Sequence, residues 1–312
     1  MRYPIRTIVA GIADVQSVDP VLAPSVELAE RTGAVLDLVH AFEVPPIMWD
    51  VRAGAGYVDR EGVWEYCDDA QSRLQAQVGE LGYAGPVRYR ALAGPVADAI
   101  HDAAKREPAD LIVVGATRRG ALTRTLLGTT AQRVLRHAPA PVLVLRRALP
   151  ERLGRVLLTT DLSPLSEGVH EAGLDVAEGL APGEVSSVRS LLVVWPGMER
   201  AQPVHADALI ATAREELTAF LRERQERPFE IAGVVRTGDP AREIVAEAAS
   251  GGAELLIVGT HGRSGPERWL LGSVAESTVR NARGNVLVIP GRTAARWDDL
   301  AIAGKGGAAC SL

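Results

Sequence analysis

The chain reads Leu111-Ile-Val-Val-Gly115-Ala-Thr-Arg118 in its first half and Leu255-Leu-Ile-Val-Gly259-Thr-His-Gly262 in its second, 144 residues later. Each stretch is followed by a similar one, Leu126-Leu-Gly128-Thr129 in the first half and Leu270-Leu-Gly272-Ser273 in the second. The interval from the first glycine to the last is thirteen residues in both copies. Agreement in register, without a gap, indicates an internal duplication with a domain-sized period.

The duplication divides the 312 residues into two domains, as a chain of this length also predicts. We expect a first domain over residues 1–147, a second over 148–292, and a flexible tail over 293–312, which is rich in glycine and alanine. Residues 43–62 contain Pro45 and Pro46 and are predicted to form a long loop. A loop of this length is typical of a lid or a partner surface, or it is disordered.

Composition narrows the class of protein. Hydrophobic residues make up 47% of the chain and charged residues 23%, values typical of a soluble globular protein. The net charge of −5 argues against a dedicated nucleic-acid binder, which usually has a basic surface. The sequence has neither an apolar run long enough to cross a bilayer nor a secretory signal, so we expect a cytoplasmic protein without a membrane partner. The two cysteines, Cys67 and Cys310, do not suggest a disulfide framework.

Each copy alternates short runs rich in Val, Ile and Leu with longer amphipathic stretches, which gives five predicted strands and four predicted helices per copy. The strands predicted at Leu111–Gly115 and Leu255–Gly259 begin with runs that are apolar throughout, as in strands that are buried on both faces. The predicted helices include Pro20–Arg31, after the first strand, and Thr129–His137 and Ser273–Asn281, each after the last glycine of its copy. Such alternation predicts an α/β fold with a parallel sheet, right-handed crossovers and helices on both faces of the sheet.

The second copy contains a glycine pattern, G-x2-G-x9-G-S, that starts at Gly259 and ends at Gly272-Ser273. Glycine just past a parallel strand allows a sharp turn and lets a ligand approach the backbone. Gly272-Ser273 then opens a predicted helix, and the N–H groups at a helix N-terminus suit phosphate. His261, Arg263 and Arg268 are the side-chain donors nearby, unless they face solvent.

The first strand of the second copy ends at Asp161, and Ser163-Pro164 follows. In a flavodoxin-like order, strands one and four end where the strand order reverses, which is the usual ligand site of an open α/β sheet. Asp161 would then lie opposite Gly259 and offer a carboxylate to ribose hydroxyls or a base edge. The alternative is that Asp161 or Ser163 caps the helix that begins at Pro164 or Leu165. The adjoining glycine loop favours ligand binding.

Other catalytic and phosphate-binding signatures are missing from the sequence. The pattern G-x-x-x-x-G-K-[ST] does not occur. The six histidines form no metal-ligand spacing with the cysteines. No serine, histidine and aspartate set can be assembled, and we interpret Ser163 and Ser273 as caps or phosphate contacts rather than nucleophiles.

Three motifs together resemble the universal stress protein family: the pattern G-x2-G-x9-G-[ST], the aspartate after strand one, and Gly238-Asp-Pro240 before the third helix. The resemblance covers residues 5–147 and 154–290 in tandem. It implies a flavodoxin-like, Rossmann-like domain in each half, with a five-stranded parallel sheet of order 3-2-1-4-5. It also implies that the halves pair through their fifth strands, Val142–Leu145 and Val286–Ile289.

The same resemblance implies binding of an adenine nucleotide, usually ATP. A Mg²⁺ ion held by its phosphates is compatible with such a site. Asp161 would contact the adenosine portion, and the backbone of strand two, from Leu192 to Val194, would hold the adenine. The residues that would surround the phosphates are Gly259, Gly262, Arg263, Gly272, Ser273 and the backbone near Val274.

The first copy departs from this pattern at two positions. Its first strand is followed by Ala13 where the aspartate belongs, with Asp14 one residue late. Arg118 occupies the position of the second glycine and is unfavourable if that position requires positive φ or close approach of a phosphate. We therefore expect nucleotide mainly in the second half and a weak site in the first. The site residues that the first half retains are Gly115, Gly128 and Thr129.

Three functions stay open at this point. The leading hypothesis is a cytoplasmic ATP-binding regulatory protein of the stress response, with an unidentified protein partner and, as the resemblance implies, a homodimer of the tandem chain. The second is a nucleotide-dependent enzyme that hydrolyses ATP or adenylates a substrate. The sequence positions no attacking water or catalytic metal, so we expect slow hydrolysis at most. The third is a pairing module with vestigial sites.

Overall fold

The structure is a computed structural model that describes residues 4–43, 48–50, 55–57, 60–116, 127–195, 206–222, 224, 226–260 and 271–291. The predicted tail at 293–312 lies outside these ranges. The strands are β1 (Thr7–Ile12), β2 (Val35–Phe42), β3 (Met48–Asp50), β4 (Ala55–Tyr57), β5 (Val87–Ala93), β6 (Leu111–Gly115), β7 (Val142–Leu145), β8 (Val156–Thr160), β9 (Ser187–Val194), β10 (Glu230–Thr237), β11 (Leu255–Gly259) and β12 (Asn285–Ile289). The helices are α1 (Leu22–Thr32), α2 (Arg60–Glu80), α3 (Val96–Arg106), α4 (Thr129–His137), α5 (Pro164–Leu180), α6 (Ala206–Arg222), α7 (Pro240–Ser250) and α8 (Ser273–Asn281).

Ten of the strands form one sheet in the order β10-β9-β8-β11-β12-β7-β6-β1-β2-β5. Within each half every neighbouring pair is parallel, and the five strands follow the order 3-2-1-4-5 when they are counted along that half. Two clusters of buried apolar side chains cover the two faces of the sheet, where the helices pack. The predicted α/β fold, with helices on both faces of a largely parallel sheet, is confirmed. Among the described helices, none combines the length with the apolar character that a membrane crossing needs.

The two halves join through their fifth strands, β7 and β12, which pair antiparallel. Val288 lies opposite Val142, and all the side chains of this contact are buried. Asn285, at the start of β12, is fully buried, and its Oδ1 accepts hydrogen bonds from the backbone N–H groups of Arg146 (2.9 Å) and Arg147 (3.2 Å). The sheet is therefore continuous across the chain, and the predicted pairing of the fifth strands is confirmed.

The halves also touch on one face of the sheet, where α1 packs against α5. Arg31, in the last turn of α1, donates from Nη1 to the carbonyl oxygens of Pro150 (3.1 Å) and Leu180 (3.2 Å). One guanidinium therefore connects the first half both to the linker, residues 146–154 between β7 and β8, and to the second half.

The predicted long loop at residues 43–62 needs a correction. Strands β3 and β4 lie within it and pair antiparallel, with Trp49 opposite Gly56, and α2 begins at Arg60. The prolines and glycines of the segment obscured two three-residue strands, because elements so short lack a measurable hydrophobic period. The described part of this segment thus contains two paired strands and the start of α2.

His170 lies on α5 and is fully buried between the sheet and α6. Its Nε2 is 2.8 Å from Ser190 Oγ, and its ring meets Phe220 edge-on with the centroids 5.1 Å apart. Its Nδ1 is buried and has no hydrogen-bond partner within the described ranges. Burial, followed by the charges of Arg224 and Arg227, lowers the pKa of His170 from 6.5 to about 3.

This histidine should make the protein sensitive to mild acid. In the unfolded chain the His170 imidazole is protonated below about pH 6.5, whereas in the folded chain it is protonated only near pH 3. The free energy of unfolding therefore falls as the pH drops through this window. We expect a loss of about 2 kcal/mol in the free energy of unfolding at pH 5 relative to neutral pH. Urea unfolding at both pH values should show that His170→Gln removes this loss, whereas His137→Gln, at an exposed site, retains it. A His170→Gln variant as acid-sensitive as the wild type would contradict the assignment.

Candidate functional site

The candidate site lies where β8 and β11 end side by side. These parallel strands pair with Leu256 opposite Leu157 and Ile257 opposite Leu158. Continuing that register places Gly259 opposite Thr160, so Asp161 follows directly. The sheet continues from β8 to β9 in one direction and from β11 to β12 in the other. The strand order therefore reverses here, as at the ligand crevice of open α/β sheets.

In the turn from β8 to α5, Ser163 and Asp161 have different roles. Ser163 is the N-cap of α5, its Oγ accepting from the N–H of Ser166 (3.3 Å), and Pro164 is the first residue of the helix. Asp161 Oδ1 accepts from Ser163 N–H (3.0 Å) and from Ser163 Oγ (2.6 Å). The capping interpretation thus applies to Ser163, while Asp161 supports the cap and remains partly exposed.

Leu162 holds a strained conformation between these two residues, with φ of 59°. Its N–H donates to Thr160 Oγ1 (3.1 Å), which is 2.6 Å from Ser166 Oγ. Ser166 Oγ in turn accepts from the N–H of Asp161 (3.2 Å). A left-handed leucine costs on the order of 1–3 kcal/mol and persists only where its surroundings determine it. The hydroxyl network therefore fixes the backbone that carries Asp161.

Two backbone hydrogen bonds form the base of the glycine loop in the second half. Thr260 donates its N–H to Ile289 O (3.0 Å), and Gly272 donates its N–H to Thr260 O (2.8 Å). Helix α8 therefore begins at Ser273 beside the end of β11. Its N-cap, Gly272, has no side chain to satisfy the first-turn N–H groups, and both Ser273 and Val274 are exposed. The N-terminus of α8 thus lies next to the C-terminal end of β11, and free N–H groups at a helix N-terminus suit phosphate.

Four other residues singled out in the loop lie outside the described ranges. They are His261, Gly262, Arg263 and Arg268.

Strand β9 borders the site on its other side. Val194 O accepts from the N–H of Gly238 (3.1 Å), so the backbone of Val194 points toward β10. Gly238 has φ of 145°, which favours glycine, and the next residue, Asp239, caps α7. Backbone N–H and C=O groups alternate between the two edges of a strand. Those of Val193 therefore point toward β8, which ends opposite Leu192.

The same two hydrogen bonds form the base of the corresponding loop in the first half. Ala116 donates its N–H to Leu145 O (2.9 Å), and Gly128 donates its N–H to Ala116 O (2.7 Å). Helix α4 begins at the exposed Thr129, and Gly115 ends β6. These retained residues thus have the same arrangement as their counterparts in the second half.

The turn after strand one differs between the halves. Residues 13–21 separate β1 from α1, whereas residues 161–163 separate β8 from α5. Asp19 is buried, and its carboxylate accepts from the N–H groups of Ala13 (2.9 Å), Asp14 (3.0 Å) and Val21 (2.8 Å). Sequence reasoning missed Asp19, although it precedes Pro20 at a predicted helix start. Ala13 takes the place directly after β1 that Asp161 takes after β8.

Comparison with known proteins agrees with this architecture. The sequence model of the universal stress protein family matches residues 4–146 and 153–290. The universal stress protein Rv2005c of Mycobacterium tuberculosis is 34% identical over 189 residues, which are 58% of this chain and 61% of that protein. A universal stress protein of Mycolicibacterium smegmatis is 33% identical over 201 residues, 62% of this chain and 65% of that protein. The chain thus matches less than two thirds of the length of these curated relatives.

Two solved structures share the fold over nearly the whole chain. A putative universal stress protein from Pseudomonas aeruginosa UCBPP-PA14 superposes with a TM-score of 0.64 at 20% identity, over 96% of this chain and 98% of that one. A universal stress protein from Archaeoglobus fulgidus DSM 4304 gives a TM-score of 0.59 at 17% identity, over 91% of this chain and 98% of that one. At these identities the likeness concerns the fold alone. Because the family model matches both halves, the chain belongs to the universal stress protein family and carries two copies of its domain in tandem.

Proposed function

We propose that this chain is a cytoplasmic ATP-binding regulatory protein of the stress response and holds the nucleotide mainly in its second half. One observation carries the proposal: Asp161 and the open N-terminus of α8 lie at the ends of the neighbouring strands β8 and β11. A carboxylate and a set of helix N–H groups at one switch point suit the two ends of a nucleotide.

The phosphates are assigned to the glycine loop. The backbone N–H groups of Ser273 and Val274 would bind phosphate oxygens, and the Ser273 hydroxyl would add a donor. Gly259 and Gly272 present no Cβ where the phosphates approach. Gly262 and Arg263 are added to the proposed phosphate-binding residues because they match the glycine pattern of the family. A Mg²⁺ ion would be bound through the phosphates.

The adenosine portion is assigned to the side of the site nearer β9. The Asp161 carboxylate would accept from the ribose hydroxyls while its Oδ1 supports the cap of α5. The adenine edge is assigned to the backbone of strand two, between Leu192 and Val194. Because Val194 O already binds Gly238 N–H, we place the direct backbone contacts at Val193 and leave Val194 to shape the pocket.

The first half is proposed as a weak site. Gly115, Gly128 and Thr129 repeat the loop base, but no carboxylate follows β1 directly. Asp14, the neighbouring acid, accepts from the N–H of Gln16 (2.8 Å) within its own turn. The adenosine end of a nucleotide would therefore be held less tightly there.

The proposal extends to the domains of the chain and to its association with partners. Domains over residues 1–147 and 148–292, with a tail over 293–312, would act as one unit through the continuous sheet. Nucleotide occupancy at the glycine pattern would change a surface for a protein partner. Two tandem chains would associate as a homodimer.

Replacing Asp161 by asparagine tests the proposal. The amide keeps an oxygen for the cap of α5 but loses the charge, and a hydrogen bond to a charged group contributes about 1.5–3 kcal/mol. We expect ATP affinity, measured by calorimetry on the full chain, to fall by about tenfold or more, while circular dichroism shows that the fold is retained. The matched change in the first half, Asp14→Asn, should leave ATP affinity unchanged.

Other outcomes would identify a different function. A wild-type chain that does not bind ATP would contradict the proposal and favour a pairing module. Multiple turnover of ATP, followed by phosphate release and abolished by Asp161→Asn, would favour the nucleotide-dependent enzyme.

A further inference from the structure

A groove of about 630 Å³ lies on the second half, where the linker after β7 passes the start of β12. It is lined by the linker residues 147–150 and by residues at the C-terminal ends of α7 and α8. The groove borders the strand starts at Leu256 and Asn285, whereas the nucleotide site lies at the strand ends. The groove thus lies at the N-terminal ends of the strands and the proposed nucleotide site at their C-terminal ends, so the two sites are separate.

The groove is lined by apolar side chains, three arginines and one carboxylate, that of Glu254. Val245, Ala248 and Ala249 form the accessible apolar part of the lining, above the buried Leu256. Three arginines surround this lining. Arg155 is paired, with Nη2 3.5 Å from Glu254 Oε1. Arg147 and Arg283 are exposed.

The two remaining guanidinium groups, of Arg147 and Arg283, have no ion pair or side-chain hydrogen bond within the described ranges. Capping of α8 does not require them, because Arg146 Nη2 already donates to Val279 O (2.7 Å) in the last turn. Two cationic groups without a structural partner therefore flank one apolar groove in a chain whose net charge is −5.

Asn285 adds a buried donor to the same lining. Its Oδ1 is engaged by two backbone N–H groups, which fixes the orientation of the amide. Its Nδ2 is buried and has no acceptor among the residues that the structure describes. An unsatisfied buried donor costs about 1–3 kcal/mol, so an acceptor delivered by a ligand would be stabilised there.

The duplicated groove of the first half does not share this chemistry. It measures about 580 Å³ and is lined by Asp98, Asp102, His101 and Lys105. Pro139, which also lines it, takes the place that Arg283 has in the 144-residue repeat. The pair of arginines is therefore a property of the second half and not a general consequence of the fold.

We propose that the groove between the linker and the C-terminal ends of α7 and α8 binds an amphipathic anion, a small molecule with a carboxylate or phosphate head and a short apolar body. The head contacts Arg147 and Arg283 and offers an acceptor to Asn285 Nδ2. The body lies on Val245 and Ala248. The volume is in the range of small-molecule sites, which is about 300–1,000 Å³.

Calorimetric titration of the full chain with decanoate tests this site. Decanoate should bind saturably with one equivalent per chain, and decyltrimethylammonium, which has a similar body and the opposite charge, should not. The double variant Arg147→Ser with Arg283→Ser should weaken decanoate binding by about tenfold or more. The control, Arg133→Ser with Arg136→Ser, removes the same charge from exposed positions of α4 and should leave binding within about twofold.

Three results would overturn the proposal. The first is absence of saturable binding to the wild-type chain. The second is equal loss of binding in the control variant, which would reduce the effect to net charge. The third is a dimer in sedimentation that the groove variant dissociates, because the face would then be an interface between two copies. ATP titration of the groove variant should match the wild type, so failure here is distinguishable from failure of the nucleotide site.

Discussion

Replacing Val288 by lysine is expected to lower the free energy of unfolding by about 3–5 kcal/mol, because the ammonium group would be buried without a partner. Val288 is fully buried in β12 and lies opposite Val142 in β7, at the antiparallel contact that joins the halves. Urea unfolding followed by circular dichroism measures the change. Limited proteolysis should also cut more readily within residues 147–154 as the halves separate.

The matched control is Val18→Lys, the same substitution at a side chain that is 51% exposed. Surface changes of this kind usually alter stability by less than about 0.5 kcal/mol. If Val288→Lys unfolds at the same urea concentration as the wild type and resists protease equally, the pairing of β7 with β12 is wrong.

The central strands were the most predictable part of the fold. Strands β6 (Leu111–Gly115) and β11 (Leu255–Gly259) have the predicted bounds, because a strand buried on both faces must be apolar at every position. Helices α4 and α8 begin where the last glycine of each copy predicted. The duplication reinforced these assignments, since each copy served as a check on the other.

Features that depend on contacts between distant residues could not be predicted. Nothing in the sequence shows that Leu162 takes a left-handed conformation, which depends on hydroxyl groups at Thr160 and Ser166. The edge to which Val194 directs its carbonyl depends on strand register, which a single sequence does not fix. Asp19 was not predicted for a related reason. Its carboxylate accepts hydrogen bonds from N–H groups at both ends of the turn between β1 and α1.

The candidate site was predictable in outline because its parts lie at element boundaries. Asp161 follows a strand and Ser273 begins a helix, so both could be located from local patterns. Their proximity follows from the strand order, which brings β8 beside β11. The groove at the linker had no such signal, since it combines Arg147 with Arg283 across more than a hundred residues.

An aspartate at position 273 should change stability and nucleotide affinity in opposite directions. Ser273 is the exposed first residue of α8, where a carboxylate favours the helix dipole by about 0.3–1 kcal/mol. The same carboxylate would meet the phosphates of ATP, and like charges in contact cost several kcal/mol. We therefore expect Ser273→Asp to melt at or above the wild-type temperature and to bind ATP about 100-fold more weakly.

The first half supplies the control for this prediction, because Thr129 begins α4 as Ser273 begins α8. Thr129→Asp should give the same small gain in stability and leave ATP affinity unchanged if the second half holds the nucleotide. Calorimetric titration of both variants distinguishes the cases. Equal weakening by the two substitutions would mean that both halves bind ATP. Unchanged affinity in Ser273→Asp would mean that the phosphates do not lie at the N-terminus of α8. Opposite signs for stability and binding in one variant are hard to obtain from general damage to the fold, because damage lowers both quantities together.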